Sequence, residues 1–318
     1  MTPAILKELQ NHFGTPTVTS AELYAYDTKY MALARKGGLK QVSRGVWSLE
    51  SPKAKKAPKE TAKDEAKKAE LIKERFEVLG VLADGVASNN IRSLIVAGAP
   101  GVGKTFTLEA KLAIAEKKKK ITSVVSIKGS ISPIGLYVQL FENREKGQVI
   151  VLDDIDSVFG DEEAMNLLKG ALDTTQKRRI SWAKASAFLR DQDIPNSFDY
   201  DGQIVFITNT DPDAVIAKGG KLAPHMAALL SRSVFLDLCI HDNKSIMIRV
   251  EQVLAESTML SDLNVSKGHA AEILGWMNAN LDSLRSVSLR TVIQLASFIK
   301  TSNNWQALAS ATMLKARY

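Results

Sequence analysis

The sequence predicts an α/β protein: a parallel sheet covered by helices on both faces, then a small all-helical domain, with a small domain of three helices and a hairpin in front. Three observations predict it. The apolar runs Leu94–Ala97, Val149–Leu152 and Ile204–Ile207 lack polar alternation, as strands buried on both faces do. Stretches of helical period separate them, and that order favours parallel pairing. Beyond residue 241 helical period dominates to the end of the chain.

Residues 1–50 read as a separate unit. Thr2-Pro3 opens a helix with Ile5, Leu6, Leu9 and Phe13 on one face, and Gly14 and Pro16 end it. Thr19 or Ser20 caps a second helix, Ala21–Tyr26, and Asp27 or Thr28 a third, Lys29–Arg35. After the Gly37-Gly38 turn, Leu39–Val42 and Val46–Leu49 alternate like strands around Ser43-Arg44-Gly45. This is the layout of a winged helix-turn-helix, and Gly38 to Leu49 resembles the wing of many bacterial examples. The likeness implies a DNA-binding domain. The third helix would enter a major groove with Lys29, Tyr30, Arg35 and Lys36 on or near it, and Lys40 and Arg44 of the wing would meet phosphates. A winged helix used for protein contacts, or an unrelated small bundle, stays open beside it.

Residues 51–70 are rich in Lys, Ala, Glu and Pro and have no aromatic, so they cannot build a core. They read as a basic flexible linker, extended at its prolines. Its lysines either attract a nucleic-acid backbone or solvate a tether. From Leu71 the spacing of Ile72, Phe76, Leu79 and Leu82 predicts a helix.

The sheet domain, residues 71–240, carries the chemistry. Gly98-Ala99-Pro100-Gly101-Val102-Gly103-Lys104-Thr105 is G-x-x-x-x-G-K-[ST], between an apolar strand and a helix beginning near Phe106. A triphosphate needs several backbone N–H groups aimed at one point, and glycines let the chain close around it. The start of the following helix adds positive potential. Gly98 to Phe106 are therefore the expected nucleotide-binding residues. Lys104 reaches the β- and γ-phosphates, and the Thr105 hydroxyl ligates Mg²⁺.

A second signal is Val149-Ile150-Val151-Leu152-Asp153-Asp154, a buried strand ending in two carboxylates. α/β sheets place ligands at that edge. Asp153 fits the residue that holds the Mg²⁺ shell, and Asp154 the one that polarises the attacking water. The strand Gln203–Thr208 ends at Asn209. The segment between Ile180 and Phe198 has no clear period and reads as an insertion or loop at the sheet's edge. A short helix, Met226–Arg232, precedes the strand Val234–Leu238. Residues 241–318 form an α-helical lid.

From about residue 71 onward the chain resembles the AAA+ ATPases. Gly98–Thr105 matches Walker A, and Val149–Asp154 matches Walker B. The resemblance implies a three-layer αβα core and the roles of three further positions. Asn209 is sensor 1. Arg232, after Ser231, is an arginine finger that reaches a neighbouring subunit's nucleotide. Arg290, in Ser288-Leu289-Arg290-Thr291, is sensor 2. Lys128-Gly129-Ser130-Ile131-Ser132 lies where such rings carry a pore loop, and the alternative is an ordinary surface loop. The segment Ile180–Asn209 looks like AAA+ proteins of phages and mobile elements. Most members place Glu where this chain has Asp154. Aspartate is shorter by one methylene, about 1.5 Å, and a misplacement of that size costs about a hundredfold in rate. The resemblance thus implies an ATPase that needs ATP and Mg²⁺ and works as a ring or helical homo-oligomer, a hexamer by the family's habit. Other members of the broad family also carry Asp-Asp, so the departure at Asp154 leaves both slow and ordinary turnover open.

Composition narrows the partners. The net charge of +7 and 45% hydrophobic content describe a mildly basic globular protein. No apolar run approaches the roughly 18 residues of a membrane span. The N-terminus shows no signal peptide, so a cytoplasmic protein of a bacterial or phage-infected cell is expected. Cys239, the single cysteine, lies in an apolar run and reads as a buried thiol. His12, His225, His241 and His269 are scattered, and no metal beyond Mg²⁺ is expected. Three functions remain open: a DNA-directed ATPase of replication, recombination or transposition; a remodeller of a protein client; and an assembly protein switched by ATP with little turnover.

Overall fold

The computed structural model describes residues 3–15, 17–34, 39–49 and 62–316. The chain forms two compact units, Met1–Thr61 and Ala62–Tyr318.

In the first unit, helix α1 (Pro3–Phe13) leads into strand β1 (Thr17–Thr19), helices α2 (Ser20–Tyr26) and α3 (Thr28–Leu33), and strands β2 (Lys40–Ser43) and β3 (Val46–Ser48). The strands pair antiparallel in the order β1-β3-β2. The expected hairpin is present with a third strand added. The β-branched Thr17-Val18-Thr19 pairs with Val46–Ser48 and buries Val18 opposite Trp47. Thr19 and Glu22 satisfy each other's backbone N–H groups in a capping box that starts α2. Asp27 caps α3 at Lys29. Leu9, Leu23, Tyr30, Met31 and Trp47 fill the small core.

The second unit opens with α4 (Ala62–Ala87), so residues 62–70, read above as tether, are its first turns. Their Ala, Lys and Glu are good helix formers. Contacts from the helical domain anchor them: Gln252 donates to the Ala69 carbonyl at 2.7 Å, and Lys68 pairs with Asp242 at 2.9 Å. Residues 51–61 lie outside the described part.

Next come β4 (Ser93–Ala97), α5 (Lys104–Lys117), β5 (Ser123–Lys128), α6 (Pro133–Glu142) and β6 (Gln148–Asp153). A 3₁₀ turn (Asp156–Gly160), α7 (Glu162–Ala171), β7 (Arg179–Ser181), α8 (Ala187–Asp191) and β8 (Ser197–Asp199) follow. The core closes with β9 (Gln203–Thr208), α9 (Pro212–Lys218), α10 (Ala223–Leu230) and β10 (Val234–Asp237). Five strands pair in the order β10-β4-β9-β6-β5, all parallel. Alternate residues of the buried strands feed two cores. Leu94, Val96, Val151 and Val205 face one, and Ile95, Ile150, Ile204 and Phe206 face the other. This is a three-layer αβα fold. Helices α11 (Asn243–Glu256), α12 (Met259–Asp262), α13 (Lys267–Ala279), α14 (Leu289–Thr301) and α15 (Trp305–Met313) follow and share the first core.

Two sequence expectations are corrected. The stretch from Ile180 to Phe198 is not a plain loop: β7 and β8 form an antiparallel ribbon around α8. Trp182 and Phe198 bury their rings against Tyr137, centroids 5.6 and 5.2 Å away. Three-residue strands are too short for periodicity to register. Cys239 is half-buried, with φ at +56°. It follows β10, an edge strand that pairs only with β4 among the described residues, so one flank of this run is not covered by a neighbouring strand.

Candidate nucleotide-binding site

The parallel register brings the strand ends together. Ala97 aligns with Thr208, Asp153 with Ile207, and Lys128 with Asp153. The glycine loop leaves β4 at this edge, and Gly103 is the N-cap of α5. Gly101 and Gly103 have φ of +71° and +95°, a backbone that side chains disfavour. At Gly101 a Cβ would meet the Ser288 Cβ at 2.6 Å. The loop is thus both left-handed and pressed against the helical domain. The Leu289 amide donates to the Gly101 carbonyl at 2.9 Å, which fastens the start of α14 to the loop.

Lys104 is buried, with its ammonium donating to the carbonyls of Gly98 (2.7 Å) and Ala99 (2.9 Å) and to Asn209 Oδ1 (2.8 Å). Asn209 in turn donates through Nδ2 to Asp154 Oδ1 at 2.7 Å. Lysine cannot accept and a carboxylate cannot donate, so the two contacts fix the amide's orientation. Asp154 has φ of +54°, uncommon outside glycine. The Thr105 hydroxyl lies 3.1 Å from both oxygens of Asp153. Among the described residues no cluster of three or more His, Cys, Asp or Glu is placed to hold a metal. A hydroxyl beside one carboxylate fits Mg²⁺, which takes few protein oxygens and completes its shell with phosphate and water.

These groups face a cavity of about 640 Å³. Pro100, Gly101 and Gly103 to Phe106 line it from the loop side, and Asp153, Asp154 and Asn209 from the sheet. Gly98 and Ala99 act instead through the carbonyls they turn toward Lys104, and Val102 is wholly buried. The helical domain supplies the far wall, including Arg249, Met259, Leu289 and Arg290.

Sequence reasoning missed Arg249. Its guanidinium lies 3.5 Å from the Phe76 ring centroid, and its buried Nε has no hydrogen-bond partner. Burial pushes its pKa down to about 10. The helical period of α11 indicated a buried face, but not that a cation belongs to it.

Lys128 corrects another expectation. It ends β5 rather than opening a loop, and its ammonium lies 3.1 Å from Glu109 and 3.5 Å from Asp153. The Glu109 hydrogen bond, with the Asp153 charge behind it, raises the Lys128 pKa above its ordinary value. Glu109 is four residues beyond Thr105 on α5, hence on the same face, and Ser126 donates to it at 3.0 Å. That spacing was readable; the partner strand's register was not.

Arg290 is an exposed member of the cavity wall. Arg232 is not among the lining residues. It donates to the Ala228 carbonyl at 2.8 Å just before β10. Val234 is level with Leu94 at the start of β4, so Arg232 sits at the opposite sheet edge from the glycine loop. In the N-terminal unit, Lys29 is exposed and pairs with Asp27 at 3.0 Å, and Arg44 is exposed in the turn between β2 and β3. Lys40 begins β2, and Arg35 and Lys36 lie outside the described residues.

A glycine loop between a central parallel strand and a helix, with acids on the adjoining strand, defines a P-loop nucleotide-binding protein. The family model of the ATPase family associated with various cellular activities (AAA) matches residues 94–218. An uncharacterized 36.7 kDa protein of the nrdC-mobD intergenic region of Enterobacteria phage T4 is 46% identical over 240 residues, covering 75% of this chain and 73% of that one. The chain belongs to the AAA ATPase family. Solved structures with a related outline include C. elegans PCH-2, at 15% identity and a TM-score of 0.39, covering 75% of this chain and 66% of that one. NtrX from Brucella abortus, in complex with ADP, is 18% identical with a TM-score of 0.38, covering 62% of this chain and 41% of that one.

Proposed function

We propose that the chain binds ATP with Mg²⁺ at this site and hydrolyses it between copies of itself, acting on DNA in replication, recombination or transposition. The supporting observation is the convergence on one cavity of Lys104, the Thr105–Asp153 pair and the Asn209–Asp154 pair. Lys104 and the loop amides would hold the phosphates. Thr105 and Asp153 would hold Mg²⁺, which draws charge from the transferred phosphoryl oxygens. Asp154 would orient and deprotonate water, with Asn209 fixing its carboxylate. Arg290 would meet phosphate from the lid.

Arg232 cannot serve its own subunit's nucleotide from the far sheet edge, which favours a split site in a ring or helical homo-oligomer, hexameric by family habit. The DNA role rests on the N-terminal unit, whose helices and antiparallel sheet follow winged-helix order with Lys29 and Arg44 exposed. Its elements would serve as residues 1–50 of a DNA-binding module, with 71–240 as ATPase core and 241–318 as lid.

A second reading, remodelling of a protein client, draws on Lys128. With that ammonium directed to Glu109 and Asp153, residues 129–132 offer a partner Ile131 and two serines but no cation of their own. The deciding experiment is ATPase rate against protein concentration, with and without single- and double-stranded DNA. The first reading expects a rate rising faster than linearly and increased by DNA, the increase fading as salt rises. Failure to retain any adenine nucleotide with Mg²⁺ overturns both readings. Turnover indifferent to DNA overturns the first alone.

A further inference from the structure

Lys128 ends β5 beside two carboxylates. Its Cα is in register with Asp153, so the parallel ladder, not side-chain chance, sets them side by side. Its ammonium lies between two carboxylates, 3.1 Å from Glu109 and 3.5 Å from Asp153. Glu109 is itself held by the Ser126 hydroxyl at 3.0 Å. Asp153 is also the carboxylate that touches Thr105.

We propose that Lys128 is a positioning residue that competes with the divalent cation for Asp153, and that Glu109 receives the ammonium when the cation binds. This rests on the reading of Thr105 and Asp153 as the Mg²⁺ site. An ammonium against Asp153 neutralises it and repels a second positive charge. Glu109, already the nearer acceptor, lets Lys128 withdraw without losing an ionic partner. The two residues therefore act on cation affinity with opposite signs. Removing the ammonium exposes Asp153 to Mg²⁺. Removing the Glu109 charge leaves Lys128 with Asp153 alone and hinders the cation. A purely structural ion pair behaves otherwise, because loss of either partner weakens the site in the same direction.

The test is a Mg²⁺ titration of the binding of a fluorescent ATP analogue, at fixed analogue and protein, for the wild type, Lys128→Met, Glu109→Gln and the double variant. Half-saturating Mg²⁺ is expected to fall by about three- to tenfold in Lys128→Met, a modest factor because the side chain is half exposed and screened. It is expected to rise in Glu109→Gln, and in the double variant to match Lys128→Met. A rise or no change in Lys128→Met, or single effects that add in the double variant, overturns the proposal. Melting curves check folding, and Lys128→Gln replaces the Met variant where that one fails to fold. If the wild type binds no analogue at any Mg²⁺ concentration, the nucleotide site itself is refuted. If it binds but half-saturation does not move among the variants, only the competition is refuted.

Discussion

Asn209 donates to Asp154 at 2.7 Å while accepting from Lys104 at 2.8 Å, so one amide joins the phosphate-loop lysine to the second Walker acid. The acid is held by its neighbour and by its own backbone at φ +54°. In Asp154→Asn the asparagine tolerates that backbone, so folding and nucleotide binding are retained. Turnover falls by at least about a hundredfold, the scale of a lost general base. Asn209→Ala releases the Asp154 carboxylate and removes one Lys104 acceptor, leaving the Gly98 and Ala99 carbonyls, and its turnover should fall by about the same factor. Steady-state ATPase assays beside analogue binding separate the two effects.

Gly101 and Gly129 both have positive φ, +71° and +97°, but differ in surroundings. A Cβ at Gly129 meets nothing within 4 Å, whereas one at Gly101 runs into Ser288. Gly129→Ala should cost about 1 kcal/mol, from backbone strain alone. Gly101→Ala should cost about 2–4 kcal/mol, with the added crowding. Urea unfolding of the two variants checks the difference, and only Gly101→Ala should also weaken nucleotide binding.

Arg232→Ala should bind nucleotide as the wild type does, since the side chain lies away from its own cavity. On the split-site proposal its turnover should fall by about a thousandfold, the scale of an arginine finger, and the expected steeper-than-linear dependence on protein concentration should be lost. A variant that keeps that dependence removes Arg232 from the mechanism.

Arg178 is buried, donating to the carbonyls of Ala171 at 2.8 Å and Gly202 at 3.0 Å, with its guanidinium 4.9 Å from the Tyr200 ring centroid. Arg178→Ala leaves two acceptors unpaired and should destabilise the core by about 3 kcal/mol. Thermal melting checks this, and the midpoint gained on adding nucleotide should be unchanged.

What the sequence made legible was whatever local order determines. Gly98–Thr105 is spelled out because phosphate binding needs consecutive amides, and Val149–Asp154 because a buried strand must be apolar until its end. The helical character of the chain beyond residue 241 was readable from period, and α11 to α15 lie there. What escaped depends on juxtaposition. Lys128 faces Asp153 through strand register, and Arg249 meets Phe76 across helices distant in sequence. The β7–β8 ribbon escaped because its strands are only three residues each. Arg232 and Arg290 were named by resemblance, and neither residue's own neighbourhood in the sequence distinguishes it from a surface arginine.

The bond from the Leu289 amide to the Gly101 carbonyl leaves the phosphate loop little independence. A peptide unit that shifts to greet an anion must drag or release the helix bearing Arg290. Loop and helix start are so tied that neither is displaced without straining or breaking that single bond.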